Sequence, residues 1–234
     1  MSAAVFFVTG TDTGVGKTRV TTGILAVGRA AGLSVAGMKP IASGAEYREG
    51  HLVSDDALRI ARASGQATPY EELNPYCLID AVSPHIAANR QHIRIDIGKI
   101  GEIAAGIATQ HDLLLIEGAG GWYAPISATE SMATLARALA APVLLIVGMR
   151  IGCLNHARLT REAIEHSGCR PAGWIANRID PHFAASAENL AMLERLLGAP
   201  PLAVLPYSID TTHDAPHLRG ALAHLHSTGG GEIT

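Results

Sequence analysis

The sequence predicts a single α/β domain built on a mostly parallel β-sheet with helices on both faces, and three observations carry that prediction. Short apolar runs alternate with longer amphipathic stretches along the chain, the pattern of repeated βαβ units. Pro142 and Pro171 stand immediately before apolar runs, where a missing N–H costs little. No internal repeat or linker-like stretch divides the 234 residues, a length that suits one large domain with a substantial core.

The first strand is predicted at residues 5–9, within the apolar run Ala4-Val5-Phe6-Phe7-Val8. A glycine-rich turn leads into a helix at 17–31, and a second strand follows at 35–39. From Ser43 to Asn89 the chain reads as loop-rich, broken by Pro69, Pro75 and Pro84, with one helix at 56–63. Irregular segments of this length in a compact domain are often functional. The remaining pattern gives a helix at 97–109, a strand at 113–117, a helix at 132–140 and a strand at 143–147. A helix at 155–166, a strand at 173–176, a helix at 187–197, a strand at 202–205 and a helix at 215–225 complete it. The domain is read as residues 1–226. Residues 227–234 are expected to form a disordered tail, because Ser227-Thr228-Gly229-Gly230-Gly231 has little to bury.

In open parallel sheets, ligands bind beyond the carboxyl ends of the strands, so the polar residues just past each strand should form one site. After the first strand comes Gly10-Thr11-Asp12-Thr13-Gly14-Val15-Gly16-Lys17-Thr18, a phosphate-binding loop in its proper context between strand and helix. Glycines let successive N–H groups point inward at phosphate oxygens, and the helix N-terminus adds positive dipole. Lys17 reaches the outer phosphates, and the Thr18 hydroxyl suits Mg²⁺. Thr11 stands where the first glycine of the common spacing belongs, so this loop is one residue longer. The fold class is therefore that of a P-loop NTPase.

Four further residues are candidates for the chemistry. Glu117 closes the apolar run Leu113-Leu114-Leu115-Ile116, the place of a Walker-B carboxylate, although an N-cap or surface acid has the same local signature. Asp55 and Asp56 open a helix, and spacing alone does not separate a dipole-favoured helix start from a metal ligand. Lys39 ends a strand directly before Pro40. Beside a γ-phosphate it would neutralise charge on the attacking and transferred groups; the alternative is a lysine whose head reaches solvent at the sheet rim.

Composition narrows the function class. Hydrophobic residues make up 48% of the chain and charged residues 17%, with a net charge of -3 and no basic stripe, which argues against nucleic acid or an anionic membrane as a main partner. Cys77, Cys153 and Cys169 share no metal-type spacing, and the eleven histidines form no cluster. The N-terminus reads as a strand rather than a leader, and no apolar run approaches spanning length. The expectation is a reduced, cytoplasmic protein.

Taken together, these residues resemble the dethiobiotin synthetase family. The likeness rests on Gly10 to Thr18 with the extra loop residue, Lys39-Pro40-Ile41-Ala42-Ser43-Gly44, Asn74-Pro75-Tyr76 and Ser83-Pro84-His85. It continues through Glu117-Gly118-Ala119-Gly120-Gly121-Trp122, Gly152-Cys153-Leu154-Asn155-His156 and Gly173-Trp174-Ile175-Ala176-Asn177. The resemblance implies an ATP- and Mg²⁺-dependent ligase of biotin synthesis that closes a ureido ring on 7,8-diaminopelargonate with CO₂, by way of a carbamate and a carbamic-phosphoric anhydride. By position, Lys17 and Lys39 stabilise carbamate and γ-phosphoryl oxygens, while Thr13 and Ser43 orient substrate and phosphate. Thr18, Asp56 and Glu117 surround Mg²⁺, Asp56 being preferred because the family pattern Asp-Ala-Leu matches Asp56-Ala57-Leu58. The nucleotide contacts Thr13, Gly14, Val15, Gly16, Lys17 and Thr18, with Gly118, Ala119 and Gly120 opposite. Asn177, Pro206, Tyr207 and Ser208 border its base. The resemblance further implies a homodimer, with the substrate carboxylate held near Gly152, Cys153, Leu154 and Asn155 of a partner subunit. Free N–H groups at that helix start suit a carboxylate, and Asn155 alternatively reads as an ordinary N-cap.

One feature points elsewhere, and two other families are rivals. Asn177-Arg178-Ile179-Asp180 is similar to the Asn-Lys-x-Asp guanine-reading motif, with arginine in place of lysine and Pro181 following; ATP remains the expected nucleotide. A ParA/MinD-like ATPase switch is the alternative from another class, but it usually carries an early loop lysine where this chain has Thr11-Asp12-Thr13. A corrinoid-type P-loop ligase usually adds a glutaminase domain for which this chain is too short.

Overall fold

The computed structural model describes residues 3–65, 68–208 and 214–229. Along the chain lie β1 (Ala4–Gly10), α1 (Lys17–Ala30), β2 (Val35–Met38), β3 (Ile41–Ser43), β4 (Glu46–Arg48), β5 (His51–Val53), α2 (Asp55–Ser64), α3 (Tyr70–Leu73), β6 (Tyr76–Leu78) and α4 (Pro84–Arg90). There follow α5 (Ile97–Ala108), β7 (Leu113–Glu117), α6 (Met132–Ala138), β8 (Val143–Met149), α7 (Cys153–His166), β9 (Pro171–Arg178), α8 (Ser186–Leu197), β10 (Ala203–Leu205) and α9 (Ala215–Thr228).

Six strands form one sheet in the order β10-β9-β8-β1-β7-β2, every neighbouring pair parallel. A strand buried on both faces needs no polar alternation, and β1 and β8 are apolar almost throughout and buried at every position. Successive side chains still point to opposite faces. Phe6 and Val8 join Ile24 and Leu25 of α1, Ile60 of α2 and Leu218 of α9 in one core. Val5 and Phe7 join Ile100 of α5, Leu135 of α6, Ile164 of α7 and Leu193 of α8 in the other. Truncating either fully buried phenylalanine to alanine should cost about 3–5 kcal/mol. Because β1 lies centrally, between β7 and β8, the loop after it opens where the loops following both neighbours converge.

The predicted sheet strands and major helices are all present. The segment read as loop-rich holds more order than expected: β3 and β6 pair in parallel, and β4 and β5 form an antiparallel hairpin whose turn uses Glu49 and Gly50 at positive φ. Helix α7 begins at Cys153, with Gly152 as its N-cap at φ 91°, so Asn155 is not the cap: it lies within the first turn. The last helix reaches Thr228, so Ser227 and Thr228 are helical rather than tail; residues 230–234 lie outside the described residues.

Candidate active site

The loop between β1 and α1 closes over a cavity of about 360 Å³ at the carboxyl ends of β1, β2 and β7. Gly14 and Gly16 take φ of 75° and 90°, a region closed to most L-residues. Gly16 has a second reason to be glycine, since a Cβ there would lie 2.1 Å from Asn177 Nδ2. Thr13, Gly14, Gly16, Lys17 and Thr18 line the cavity on this side. Val15 does not: its side chain is buried in the core, and its carbonyl accepts from Asn177 Nδ2 at 2.8 Å.

Opposite stands Glu117 at the end of β7, fully buried and therefore no surface acid. Its Oε1 accepts from Thr18 Oγ1 at 2.8 Å and from Lys39 Nζ at 2.6 Å, while its Oε2 has no partner. Lys39 is 4% exposed, so its head does not reach solvent at the rim. Nζ also donates to the Gly118 carbonyl at 3.2 Å and pairs with Asp56 Oδ2 at 3.3 Å. Burial alone would lower the Lys39 pKa, but the Glu117 and Asp56 carboxylates outweigh it and raise it, so the ammonium stays charged. Burial also opposes ionisation of Asp56, and Lys39 with the Thr18 hydroxyl overcomes it, so that pKa is lowered. Asp55 points away and pairs with Arg48 at 2.6 Å, which separates the two adjacent aspartates.

Lys17 differs from Lys39. Its Nζ donates to the backbone carbonyls of Asp12 at 3.1 Å and Gly120 at 2.6 Å and has no carboxylate of its own. Burial first, then the charge of Lys39, pull its pKa down to about 8. A cation so short of counter-charge is suited to an incoming phosphate. The Gly120 carbonyl is braced from the core: Trp122 packs edge-on against Phe7 with ring centroids 6.4 Å apart and donates Nε1 to Ser167 Oγ at 3.2 Å, anchoring the end of the 118–121 loop.

Ser43, at the end of β3, lines the cavity, as do Ala119 and Gly120; Gly118 contributes only its carbonyl. Asn177 is buried at the carboxyl end of β9 against the P-loop, and Pro206, Tyr207 and Ser208 follow β10 beside it. Gly152, Leu154 and Asn155 do not enter this cavity. They line a separate one of about 560 Å³ at the start of α7, next to Ile151, which is 86% exposed; Cys153 is buried in the core.

Several residues escape a reading by motif. Asp12 pairs with Arg150 after β8, tying the P-loop to the approach to α7. Asn74 Nδ2 donates to the Lys39 carbonyl at 2.6 Å; Tyr70 Oη donates to Asn74 Oδ1 at 3.2 Å and accepts from Ser54 N at 2.7 Å, just before α2. This frame joins the segment carrying Lys39 to the helix carrying Asp56. Asn74 was legible only as part of Asn74-Pro75-Tyr76; nothing local marks Tyr70 or Arg150.

The cluster fits a hard divalent cation. Thr18, Asp56 and Glu117 offer only oxygen donors, and the buried Glu117 Oε2 lacks any partner. Among the described residues no group of three or more His, Cys, Asp or Glu side chains gathers as a metal site, so the set is two carboxylates and a hydroxyl.

A family model described as an AAA domain matches residues 4–215. The ATP-dependent dethiobiotin synthetase BioD of Xylella fastidiosa (strain 9a5c) is 45% identical over 207 residues, covering 88% of this chain and 92% of that protein. Its counterpart from Nitrosospira multiformis is 45% identical over 217 residues, 93% of each chain. That of Cellvibrio japonicus is 42% identical over 228 residues, 97% of this chain and 98% of that protein. Among solved structures, the MinC:MinD cell division protein complex of Aquifex aeolicus aligns with TM-score 0.58 at 18% identity, covering 96% of this chain and 94% of that one. The Pyrococcus furiosus cell division ATPase MinD aligns at 0.57 and 18%, covering 97% and 96%. At that identity the second likeness shows a shared P-loop fold and nothing of the activity. Sequence identity above 40% across nearly the whole chain decides the family: this chain belongs to the ATP-dependent dethiobiotin synthetases.

Proposed function

We propose that the chain converts 7,8-diaminopelargonate, CO₂ and ATP to dethiobiotin, ADP and phosphate. The observation that carries the reading is the convergence of Thr18 and Lys39 on the buried Glu117, with Asp56 paired to Lys39 and Lys17 beside them, in a chain over 40% identical to dethiobiotin synthetases. One amine of the substrate adds to CO₂ and loses a proton, giving a carbamate. A carbamate oxygen then takes the γ-phosphoryl group, releasing ADP. The neighbouring amine attacks the resulting anhydride carbon and expels phosphate, closing the ring. None of these steps needs a covalent bond to the protein; they need charge stabilised and groups aligned.

Lys39, kept charged by its carboxylates, stabilises negative charge on the carbamate and on the transferred group. Lys17 exchanges its carbonyl partners for phosphate oxygens, and the exposed Thr13 and half-buried Ser43 orient substrate and phosphate at the cavity rim. Asn177 and residues 206–208 border the base. Thr18, Asp56 and Glu117 hold Mg²⁺, which supplies charge neutralisation on the phosphates when bound. The exposed Ile151 and the α7 start support a homodimer in which Gly152, Cys153, Leu154 and Asn155 serve the partner's substrate carboxylate. The three cysteines are free, and among the described residues no helix is long and apolar enough to cross a membrane; both agree with a cytoplasmic enzyme.

The test is isotopic. With Mg-ATP, the diamine and ¹³C-bicarbonate, the label must appear in the ureido carbon of the product. ATP consumed without label incorporation would exclude the reading.

A further inference from the structure

Acceptors from three distant segments converge on the Arg19 guanidinium, in the first turn of α1. Nε and Nη2 donate to the two Asp214 carboxylate oxygens, each at 2.6 Å; Nη1 donates to Asn177 Oδ1 at 3.1 Å, and Nη2 also to the Pro206 carbonyl at 3.0 Å. The Arg19 and Asp214 side chains are 11% and 3% exposed, so this is a bidentate pair largely withdrawn from solvent. Arg19 also lines the P-loop cavity. It occupies the corner between the phosphate loop and the two strand ends assigned to the base.

The consequence falls on Asn177. Its Oδ1 accepts from Arg19 and its Nδ2 donates to the Val15 carbonyl at 2.8 Å. Reversing the amide would set an NH₂ against a guanidinium and an oxygen against a carbonyl, so one orientation is enforced. Each end keeps one unused function, an N–H and a lone pair. Adenine presents an acceptor at N7 beside a donor at N6, the pair an asparagine amide reads in two bonds; guanine presents two acceptors, N7 and O6. The enforced amide therefore suits adenine and sets its oxygen against the guanine O6. Asp180, the acid of the guanine-like motif, already accepts from the His182 N–H at 2.9 Å within its own turn.

We propose that Arg19, braced by Asp214, is a positioning residue that locks the Asn177 amide in the sense that selects adenine over guanine. The proposal rests on the nucleotide site described above and concerns base choice rather than the chemical step.

The experiment is equilibrium binding of ATP, GTP and inorganic tripolyphosphate, each with Mg²⁺, to wild type, Arg19→Gln, Arg19→Lys and Asp214→Asn, with thermal unfolding followed in parallel. Wild type should prefer ATP over GTP by about 10- to 100-fold. Arg19→Gln should lose most of that preference by weakening ATP, with tripolyphosphate binding unchanged. Lysine should not restore it, because its three donors cannot reproduce the planar fork that meets both Asp214 oxygens while also reaching Asn177 and the Pro206 carbonyl. Asp214→Asn should shift the ratio in the same direction by less. A wild type without adenine preference, or an Arg19→Gln variant with the wild-type ratio, would overturn the proposal. So would equal weakening of all three ligands, the mark of a purely structural role. A chain that selects ATP through Arg19 but makes no dethiobiotin would overturn the proposed activity and leave this inference standing.

Discussion

The Lys39–Glu117 pair is the most exacting place to perturb the molecule, because both charges are buried and each is the other's shortest contact. Lys39→Met leaves the Glu117 carboxylate with the Thr18 hydroxyl alone and Oε2 still unpartnered. Leaving a charge uncompensated in this way should cost about 3–5 kcal/mol. Glu117→Gln is milder, because Lys39 keeps Asp56 at 3.3 Å and the Gly118 carbonyl at 3.2 Å; losing one charge-assisted bond should cost about 2–3 kcal/mol. In the double variant no buried charge lacks its partner, and the coupling should return about 2–3 kcal/mol relative to the sum of the single costs. The assay is urea denaturation of the free protein at fixed pH, without nucleotide or Mg²⁺. For a chain of this size each kcal/mol should also appear as about 2–4 °C in Tm. Product formation should be lost in all three variants even as stability returns in the double. Costs that add to within about 0.5 kcal/mol would mean that the two groups do not interact, contrary to the buried pair seen here.

Other expectations follow from single contacts. Lys17 has its pKa lowered to about 8 from 10.5, so between those values the unfolded chain binds the extra proton. Its cost to stability is thus full below pH 8 and fades as pH rises toward 10.5. The stability of wild type relative to Lys17→Met should therefore improve by up to about 3 kcal/mol over that range, and a flat difference in denaturation experiments would contradict it. Asn74→Ala strips the Lys39 carbonyl of its side-chain donor and should destabilise by about 1–3 kcal/mol while lowering kcat. Gly16→Ala combines a left-handed backbone, worth about 1–2 kcal/mol, with a clash on Asn177, and should abolish nucleotide binding in a protein that still folds.

What the sequence made legible was governed by locality. Buried strands such as β1 and β8 announce themselves as apolar runs, and the P-loop is contiguous, so both could be placed from composition and spacing. Between Ser43 and Asn89 the signals fail for a physical reason. β3 and β6 are three residues each and exist only because they find one another across more than thirty residues; β4 is exposed along its whole length. In the site, the positions of Lys39, Asp56, Glu117 and Asn177 could be read because each stands at a strand end or helix start. Arg19, Asp214, Tyr70 and the Asp12–Arg150 pair could not. Their work is done by side chains reaching between distant segments, which leaves no periodicity behind. The alternative reading of Asn155 as an N-cap fails because Gly152, at φ 91°, caps α7, which begins at Cys153, two residues before the predicted helix start.

Synthesis and a nucleotide switch make opposite demands on the phosphate loop and the Lys39–Glu117–Asp56 cluster. The most direct measurement follows dethiobiotin by mass and ADP release together, in Mg-ATP, bicarbonate and 7,8-diaminopelargonate. A synthetase releases product and ADP in equal amounts, and neither when the diamine is omitted. ADP released at the same rate without the diamine, and no dethiobiotin with it, would mark a nucleotide switch instead.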